Sequence, residues 1–594
     1  MKSNYDKFPH VDISGFDEEA WQGWVQIRES ITKKLSNNSA TVIIECYHGL
    51  YNDELISELR KIPEATLIDV SSAYKVPDEI HSMIYPDITD DPVFGKLTSL
   101  SIEDYFREDK LLQLRKIIEG HDSGILIIYG TGATLVADQW DLLVYADMAR
   151  WEIQLRMRKN RVNNLGVSNL EQSFSLQYKH AYFVDWRVCD RIKLGILDKV
   201  DFLLDTNIEG AAKMITGNAL RQGLDQTCQT PFRLVPFFDP GPWGGQWMKE
   251  VCDLDRSKEN FAWCFDCVPE ENSLLLKYGE VIVEIPSVNL LFYRGEALLG
   301  REVYEVFGPE FPIRFDFLDT MGGGNLSMQV HPLTEYIREH FGMTYTQDES
   351  YYMLDTEEDA IVYLGLKEGI NPENMIKALK DAQNGGPDFP ADEYVESWKV
   401  KKHDHILIPA GTVHCSGKNS MVLEISATPY IFTFKLWDWG RMGLDGKPRP
   451  INIERGIKVI QWDRTTTWTG ENLVNQVTEV EDGPGWREER TGLHELEFIE
   501  TRRHWFTGKV IHHTEGKVNV LNLVEGREAL VESPDNSFAP FKVHYAETFV
   551  VPATVDTYSI KPVGESIGKE CATVKAYVRT ESIKALGKDL RMLT

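Results

Sequence analysis

The sequence has few of the features that mark secreted and membrane proteins. Its 8 cysteines in 594 residues are irregularly spaced, which fits a reducing compartment better than a disulfide-stabilised fold. It shows no uninterrupted apolar run of membrane-spanning length. Its first residues, MKSNYDKFPHVDISGF, lack the apolar segment of a signal peptide. We therefore expect a cytoplasmic protein.

Basic residues are also in short supply. The chain has 63 Lys and Arg against 92 Asp and Glu, a formal net charge of −29. This charge repels nucleic-acid phosphates and anionic lipids, so we expect neither nucleic acid nor a membrane as a partner. The negative net charge does not exclude a local basic pocket for one phosphate group. The chain is too long for one hydrophobic core, so we expect several domains.

Residues 1–230 predict an α/β domain. Short apolar runs at residues 41–46, 124–129 and 141–147 alternate with helical patterns, which favours a parallel sheet. The order of these elements is similar to that of uridine-kinase-like P-loop kinases, in which a strand leads to a phosphate loop and a later strand ending in Asp precedes an Arg-rich helix.

This domain lacks the glycine-rich loop that holds nucleotide phosphates. After the first strand it has Tyr-His-Gly-Leu-Tyr-Asn-Asp at residues 47–53 rather than G-x-x-x-x-G-K-[ST]. We therefore expect a degenerate P-loop-kinase-like domain without phosphoryl transfer. The domain has four arginines in and after its Arg-rich helix: Arg150, Arg156, Arg158 and Arg161. Two interpretations stay open for them, an anion site or a solvated helix face with ion pairs.

From residue 231 the pattern changes to short strands. Residues 231–245 are rich in Pro and Gly and predict a linker. Alternating strand patterns follow, interrupted by a predicted helix at 372–383 with Asn371 as its N-cap. We expect mainly β double cupin, or jelly-roll, domains: residues 231–465 with the helical insertion, and residues 466–594.

The second of these domains carries a faint echo of the first. Val551-Pro552-Ala553 resembles Ile408-Pro409-Ala410, but no residue corresponds to His414. We therefore expect the domain at 466–594 to be a metal-free structural partner.

The strongest candidate site lies between residues 325 and 417. Gln329 and His331 alternate along a predicted strand and so share a face. Glu349 and His414 can join them if the later segments are strands of the same barrel. Two imidazoles, one carboxylate and one amide oxygen form a set suited to zinc, with room for a substrate or water.

Residues 231–594 resemble class I mannose-6-phosphate isomerases, zinc-dependent proteins of the cupin fold. The matching segments follow the order of that family: residues 242–245 (PWGG), 311–318, 326–332 (LSMQVHP), 349–354, 363–369, 408–414 (IPAGTVH) and 437–441.

The resemblance implies a role for each residue of the site. Gln329, His331, Glu349 and His414 would bind one zinc ion per chain. Ser327 and Lys435 would hold the sugar phosphate, and Glu424, Lys435 and Arg441 would be the catalytic residues. From the residues alone, Lys435 and Arg441 are equally consistent with pairing to acids such as Asp438.

The implied reaction interconverts mannose 6-phosphate and fructose 6-phosphate through a zinc-stabilised cis-enediol. Two positions depart from the family pattern: Gln347 stands in place of a lysine, and Lys435 in place of an arginine. They keep two alternatives open, an inactive homologue that binds sugars as a regulator and an isomerase for another sugar. The oligomeric state is not predicted.

Overall fold

The computed structural model describes residues 3–35, 39–427, 430, 432–443, 446, 449–492 and 494–581. The chain divides into two compact units. The α/β unit consists of His10–Thr227 and Glu271–Arg294, and the β unit of Met1–Pro9, Cys228–Glu270 and Gly295–Thr594. The predicted domain boundaries at residues 230 and 465 stay predictions, and the structure places residues 271–294 with the α/β unit.

The α/β unit is built on a sheet whose central strands are parallel, as predicted. Side chains on parallel strands are buried on both faces, which explains their continuous Val, Ile and Leu runs. The strands lie in the order Ala20–Gln22, Lys213–Thr216, Phe202–Asp205, Leu142–Asp147, Ser39–Cys46, Gly124–Gly130 and Ala65–Asp69.

Helices and a small accessory sheet complete this unit. The helices are Trp24–Lys34, Asn52–Leu59, Pro77–Ile88, Glu108–Glu119, Arg150–Arg158, Phe174–His180, Trp186–Ile196 and Gly217–Thr227, and the helical segment Val288–Leu299 begins here. The accessory sheet joins His10–Asp12, Ser273–Tyr278 and Val281–Pro286.

The β unit contains a first β-sandwich of two antiparallel sheets. One sheet has the order His405–Ile408, Asp348–Thr356, Ser420–Ala427, Arg314–Asp319, Trp263–Cys267 and Phe237–Asp239. The other has the order Val395–Lys399, Ile361–Leu366, His414–Ser416, Met328–Val330 and Phe434–Trp437. The segment 231–245 is therefore not a simple linker, because it supplies the edge strand Phe237–Asp239.

Short helices surround this sandwich: Trp247–Val251, Arg301–Phe307, Thr334–Phe341, Pro372–Gln383, Ala391–Tyr394, Ile453–Gly456 and Thr466–Asn472. The predicted helical insertion is confirmed at Pro372–Gln383. The Asn371 side chain accepts a hydrogen bond from the backbone N–H of Asn374 at 3.0 Å, and Pro372 occupies the first helical position.

A second β-sandwich follows in the β unit. One of its sheets has the order Thr478–Gly483, Trp486–Gly492, Ile499–Phe506, Cys571–Val578, Asn519–Glu525 and Thr548–Val551. The other has the order Val510–His513, Thr557–Pro562, Glu528–Glu532 and Phe541–His544. Side chains from both sheets, including Leu523 and Ile560, form one core. The sheet-rich, multi-domain prediction is confirmed, and the architecture is consistent with cupin-like domains.

Two strands of the second sandwich that follow each other in the chain belong to different sheets: Ile499–Phe506 lies in one and Val510–His513 in the other. Residues 507–509 connect them. Within the part of the chain that the structure describes, no helix is long and apolar enough to cross a bilayer.

Candidate metal centre

Strand register places three of the predicted site residues in one row. Gln329 on Met328–Val330 pairs with His414 on one side and with Lys435 on the other. Residues directly opposite each other on antiparallel strands project from the same face. The row therefore lies on the inner face of the sheet, next to the centre described below.

Glu349 reaches this row from the opposite sheet, and His331 follows the Met328–Val330 strand directly. The Nε2 atom of His331 lies 3.1 Å from Glu349 Oε2, and the Nε2 atom of His414 lies 2.9 Å from Glu349 Oε1. The two imidazole rings are 4.8 Å apart. One ligand atom from each of these three buried residues lies within 4.8 Å of the other two, so the predicted triad is assembled in the fold.

The hydrogen bonds of the two histidines show that these residues fit a metal ion. Nδ1 of His331 lies 2.8 Å from the Phe432 carbonyl, and Nδ1 of His414 lies 2.9 Å from the Thr412 carbonyl. A carbonyl only accepts, so both Nδ1 atoms carry the proton, and in a neutral imidazole Nε2 then presents a lone pair. Two lone pairs thus face a carboxylate in a buried site, an arrangement that a divalent cation stabilises.

The charge of Glu349 depends on the two histidines beside it. Burial opposes ionisation of Glu349, but His331 and His414 outweigh it and hold the pKa of Glu349 well below its usual value. Burial lowers the pKa of His414. Burial also acts to lower the pKa of His331, but Glu349 outweighs it and raises that pKa above its usual value. A metal ion would compete with the proton on His331, because these side chains bind metals as a carboxylate and neutral imidazoles.

Gln329 and Ser327 flank the triad. Ser327 Oγ donates to Gln329 Oε1 at 3.2 Å, and Gln329 Nε2 lies 3.3 Å from His414 Nε2. The amide nitrogen therefore faces the histidine in this rotamer. An oxygen ligand from Gln329 requires a half-turn of the amide, which exchanges the two atoms in place.

Glu424 lies on the inner face of the sheet that carries Glu349. It pairs with Tyr351 on one neighbouring strand and with Asp316 on the other. Burial, followed by the charges of Asp316 and Glu349, raises the pKa of Glu424 well above its usual value. A buried carboxyl group with a raised pKa, placed next to a metal site, is suited to proton transfer.

The structure distinguishes the two predicted basic residues. The ammonium group of Lys435 makes no hydrogen bond or ion pair with the rest of the described chain, and burial lowers its pKa to about 7. Arg441 instead donates to Asp438 Oδ1 at 2.6 Å and to the Asn325 carbonyl at 2.5 Å. The alternative of an ion pair with Asp438 therefore holds for Arg441, and its contact with Asn325 fixes the segment that precedes Ser327.

Two further residues position the centre, and sequence reasoning assigned neither. Gln347 Nε2 donates to Glu349 Oε2 at 2.8 Å while its Oε1 accepts from the Phe432 N–H at 2.9 Å. Arg464 donates to the carbonyls of Pro409 and Ala410, both at 2.8 Å, in the turn that leads to His414. Gln347 was detectable from its spacing of two positions from Glu349, whereas the sequence around Arg464 carries no signal.

The four arginines in and after the Arg-rich helix of the α/β unit fall into two groups. Arg158 and Arg161 are exposed, and Arg161 lies 3.5 Å from Glu209, which agrees with the interpretation of a solvated face with ion pairs. Arg150 is buried and donates to Asp190 Oδ2 at 2.5 Å. Arg156 is also buried and donates to the carbonyls of Gly49 and Thr206. Both guanidinium groups are committed to internal contacts, so neither supports the anion-site interpretation.

Comparisons with known proteins identify relatives of this chain. The mannose-6-phosphate isomerase ManA of Bacillus subtilis (strain 168) is 30% identical over 232 residues, which make up 39% of this chain and 68% of that protein. The chain belongs to the mannose-6-phosphate isomerase family. A second relative in the same organism, described as probable mannose-6-phosphate isomerase GmuF, is 29% identical over 238 residues, 39% of this chain and 68% of its own length.

A family model and a solved structure also match parts of the chain. Residues 23–229 match a family model described as a domain of unknown function (DUF8485). The crystal structure of the mannose 6-phosphate isomerase from Bacillus subtilis aligns with 59% of this chain and 100% of its own, with a TM-score of 0.48 and 19% sequence identity.

Proposed function

We propose that the protein is an aldose–ketose isomerase for a phosphorylated hexose, with mannose 6-phosphate and fructose 6-phosphate as its substrate pair. The observation that carries this proposal is the convergence of His331, Glu349 and His414 in a buried site of a mannose-6-phosphate isomerase family member. With Gln329 they would hold one zinc ion per chain. When bound, zinc supplies a Lewis acid that polarises the sugar oxygens.

The side chains around the triad match the remaining needs of the reaction. Isomerisation removes a proton from carbon 2 and returns one to carbon 1 through a cis-enediol, so a proton-transfer group must stand beside these carbons. We assign this role to Glu424. Ser327 and Lys435 would bind the substrate, and Lys435 would offset the negative charge of the enediolate or phosphate. Arg441 would act through Asn325, as a positioning residue.

A coupled assay with zinc-loaded protein tests the proposal. We expect interconversion of mannose 6-phosphate and fructose 6-phosphate that is lost on chelation and recovered with zinc. The matched control is His513→Ala, which removes an exposed histidine far from the triad in sequence and keeps full activity, while His414→Ala abolishes it. No turnover of either sugar at high enzyme concentration would overturn the proposal.

A regulatory protein built on an inactive isomerase is the second candidate. It is favoured by Gln347, a neutral group hydrogen-bonded to Glu349 where the family has a charged donor, and by Lys435, which is unable to clamp a phosphate bidentately as an arginine does. Calorimetric binding of the sugar phosphate without turnover would support this candidate. Turnover that disappears in His414→Ala would exclude it.

We further propose three domains, residues 1–230, 231–465 and 466–594, in a cytoplasmic protein. The first would be a P-loop-kinase-like fold that has lost phosphoryl transfer, which its parallel sheet and the absence of a Gly-Lys-Ser/Thr loop support. The third would be a metal-free cupin. ATP hydrolysis above background by the purified chain would contradict the assignment of the first domain.

A further inference from the structure

The α/β unit contains a cavity of about 510 Å³. It opens at the carboxyl ends of three parallel strands, Ser39–Cys46, Ala65–Asp69 and Gly124–Gly130. Ser39–Cys46 lies between Gly124–Gly130 and Leu142–Asp147 in the sheet. The strands that follow it in sequence are therefore added first on one side of it and then on the other. In open parallel sheets, ligands bind in the crevice at such a point. The cavity is therefore placed where this fold accommodates a small molecule.

The charge of the cavity argues against a phosphorylated ligand. Four carboxylates line the cavity, those of Asp53, Glu54, Asp69 and Glu209. Arg161 is the only Lys or Arg among the lining residues. Arg161 lies 3.5 Å from Glu209, so its charge is already compensated. Burial lowers the pKa of His48, which keeps this lining imidazole neutral. An anionic group would meet net repulsion here.

The helix that begins at the cavity does not attract anions either. Asn52–Leu59 starts at the rim, and its first turn carries Asp53 and Glu54. These carboxylates compensate the positive end of the helix dipole, which is the feature that phosphate-binding helices leave free. The site thus differs from a phosphate loop in two respects: it lacks the glycine-rich sequence, and its helix begins with acidic residues.

Several polar groups on the lining are available to a ligand. The side chains of Asn52 and Asp53 make no hydrogen bond with any other described part of the chain. Asn163 Oδ1 accepts from the backbone N–H of Asn169 at 2.7 Å, and its amide N–H groups have no partner among the described residues. Paired donors and acceptors of this kind suit vicinal hydroxyl groups, which both donate and accept.

The wall of the cavity is held rigidly. Arg156 donates to the Gly49 carbonyl at 2.9 Å and lies 3.9 Å from the centre of the Tyr51 ring. His48 Nε2 bonds to the Asn163 carbonyl at 2.9 Å. His48 is only 4% exposed, and its Nδ1 has no hydrogen-bond partner within the described residues. A preformed polar cavity with an unpaired buried imidazole on its wall indicates a binding site.

We propose that this cavity binds an unphosphorylated sugar. Its volume lies in the range of about 300–1,000 Å³ that is usual for small-molecule sites. Its acidic, hydroxyl-matching lining favours a neutral polyol over a sugar phosphate. The proposal is independent of the reaction at the metal centre, since it rests only on the α/β unit.

Saturation-transfer NMR and thermal-shift titration of the full chain test this proposal. The probes are mannose, fructose and glucose, the 6-phosphates of these sugars, and a nucleoside. All are titrated against His414→Ala, in which the metal centre is disabled. We expect saturable binding of at least one free sugar and weaker or no binding of its 6-phosphate.

Variants locate the binding site. Asp53→Ala and Asn163→Ala should weaken binding about tenfold or more, because each removes a polar contact to the sugar. Asp122→Ala, which removes an exposed acid of the same unit away from the cavity lining, should leave it unchanged. The proposal fails if no free sugar binds, if binding is unaffected by both cavity variants, or if the nucleoside or the 6-phosphates bind more tightly than every free sugar.

Discussion

Gln347 and Glu349 are joined by a hydrogen bond: Nε2 of the glutamine donates to Oε2 of the glutamate at 2.8 Å. The same glutamine accepts from the Phe432 N–H, and the Phe432 carbonyl in turn orients His331. The neutral side chain of Gln347 thus holds Glu349 directly and His331 indirectly, through Phe432. Its departure from the family pattern is therefore compatible with an intact metal site.

Replacing Gln347 by leucine should weaken metal binding. The change keeps the volume of the side chain but leaves Glu349 without its donor, and loss of such a supporting contact typically costs about 10- to 100-fold in metal affinity. Competition with a chromophoric chelator measures the affinity. Gln383→Leu, at an exposed helix end, is the control. Equal affinity in the two variants would show that Gln347 does not position Glu349.

Glu424→Gln should separate metal binding from catalysis. The amide has the shape of the acid and transfers no proton, so the rate should fall by about 10²- to 10⁴-fold. Zinc content, measured by elemental analysis, should stay unchanged. Exchange of the carbon 2 proton with deuterated solvent should be lost as well. A variant with normal zinc content and a normal exchange rate would place the proton-transfer group elsewhere.

Arg464 should support His414 from a distance. Replacing it by leucine leaves the carbonyls of Pro409 and Ala410 without their buried donor, at a cost of about 1–3 kcal/mol in the free energy of unfolding. The affinity for zinc should also decrease. Arg464→Lys should recover part of both losses, because an ammonium group reaches fewer of these acceptors than a guanidinium does. Denaturant titration and chelator competition provide the two measurements.

A finding of full zinc affinity in Arg464→Leu, together with lower stability, would restrict this residue to a purely structural role.

Glu525 predicts a pH dependence of stability in the β unit. It accepts hydrogen bonds from Lys402 at 2.6 Å and His403 at 3.1 Å. His403 contributes most to lowering the pKa of Glu525 to about 2 from its ordinary value of 4.5, and Lys402 adds to the effect against the influence of burial. Folding therefore favours the ionised form. This stabilisation is present above pH 4.5 and is lost as the pH falls towards 2.

Glu525→Gln should accordingly lower stability at pH 7 by less than about 1 kcal/mol, since the pair is partly exposed and screened by solvent. The difference from the unmodified protein should shrink steadily below pH 4.5. Thermal melts at a series of pH values measure it, with the exposed Glu357→Gln as the control. A difference that is constant with pH would contradict the role of the charge.

Elements with strong local patterns were predictable from the sequence. The buried runs of the parallel sheet and the capped helix Pro372–Gln383 follow from apolar periodicity and from the chemistry of Asn371 and Pro372. The candidate metal site was predictable because the spacing of Gln329 and His331 puts them on one face, and because family motifs supplied Glu349 and His414.

Contacts between distant parts of the chain were not predictable in this way. The pairing of His10–Asp12 with Ser273–Tyr278 links segments more than 260 residues apart, and neither segment encodes its partner locally. Arg464 supports the site through backbone carbonyls. Because every residue has such a carbonyl, the sequence does not indicate which ones the guanidinium group will reach in the fold. The cavity of the α/β unit has a similar origin, because its lining comes from separate loops that meet only at the sheet edge.

The anchoring of His331 and His414 by the carbonyls of Phe432 and Thr412 has a consequence for metal exchange. Backbone atoms, rather than the ion, set the orientation of both rings, so the site exists before a metal arrives. Loading and release then proceed from the folded chain without a refolding step. Chelation should therefore be reversible under native conditions.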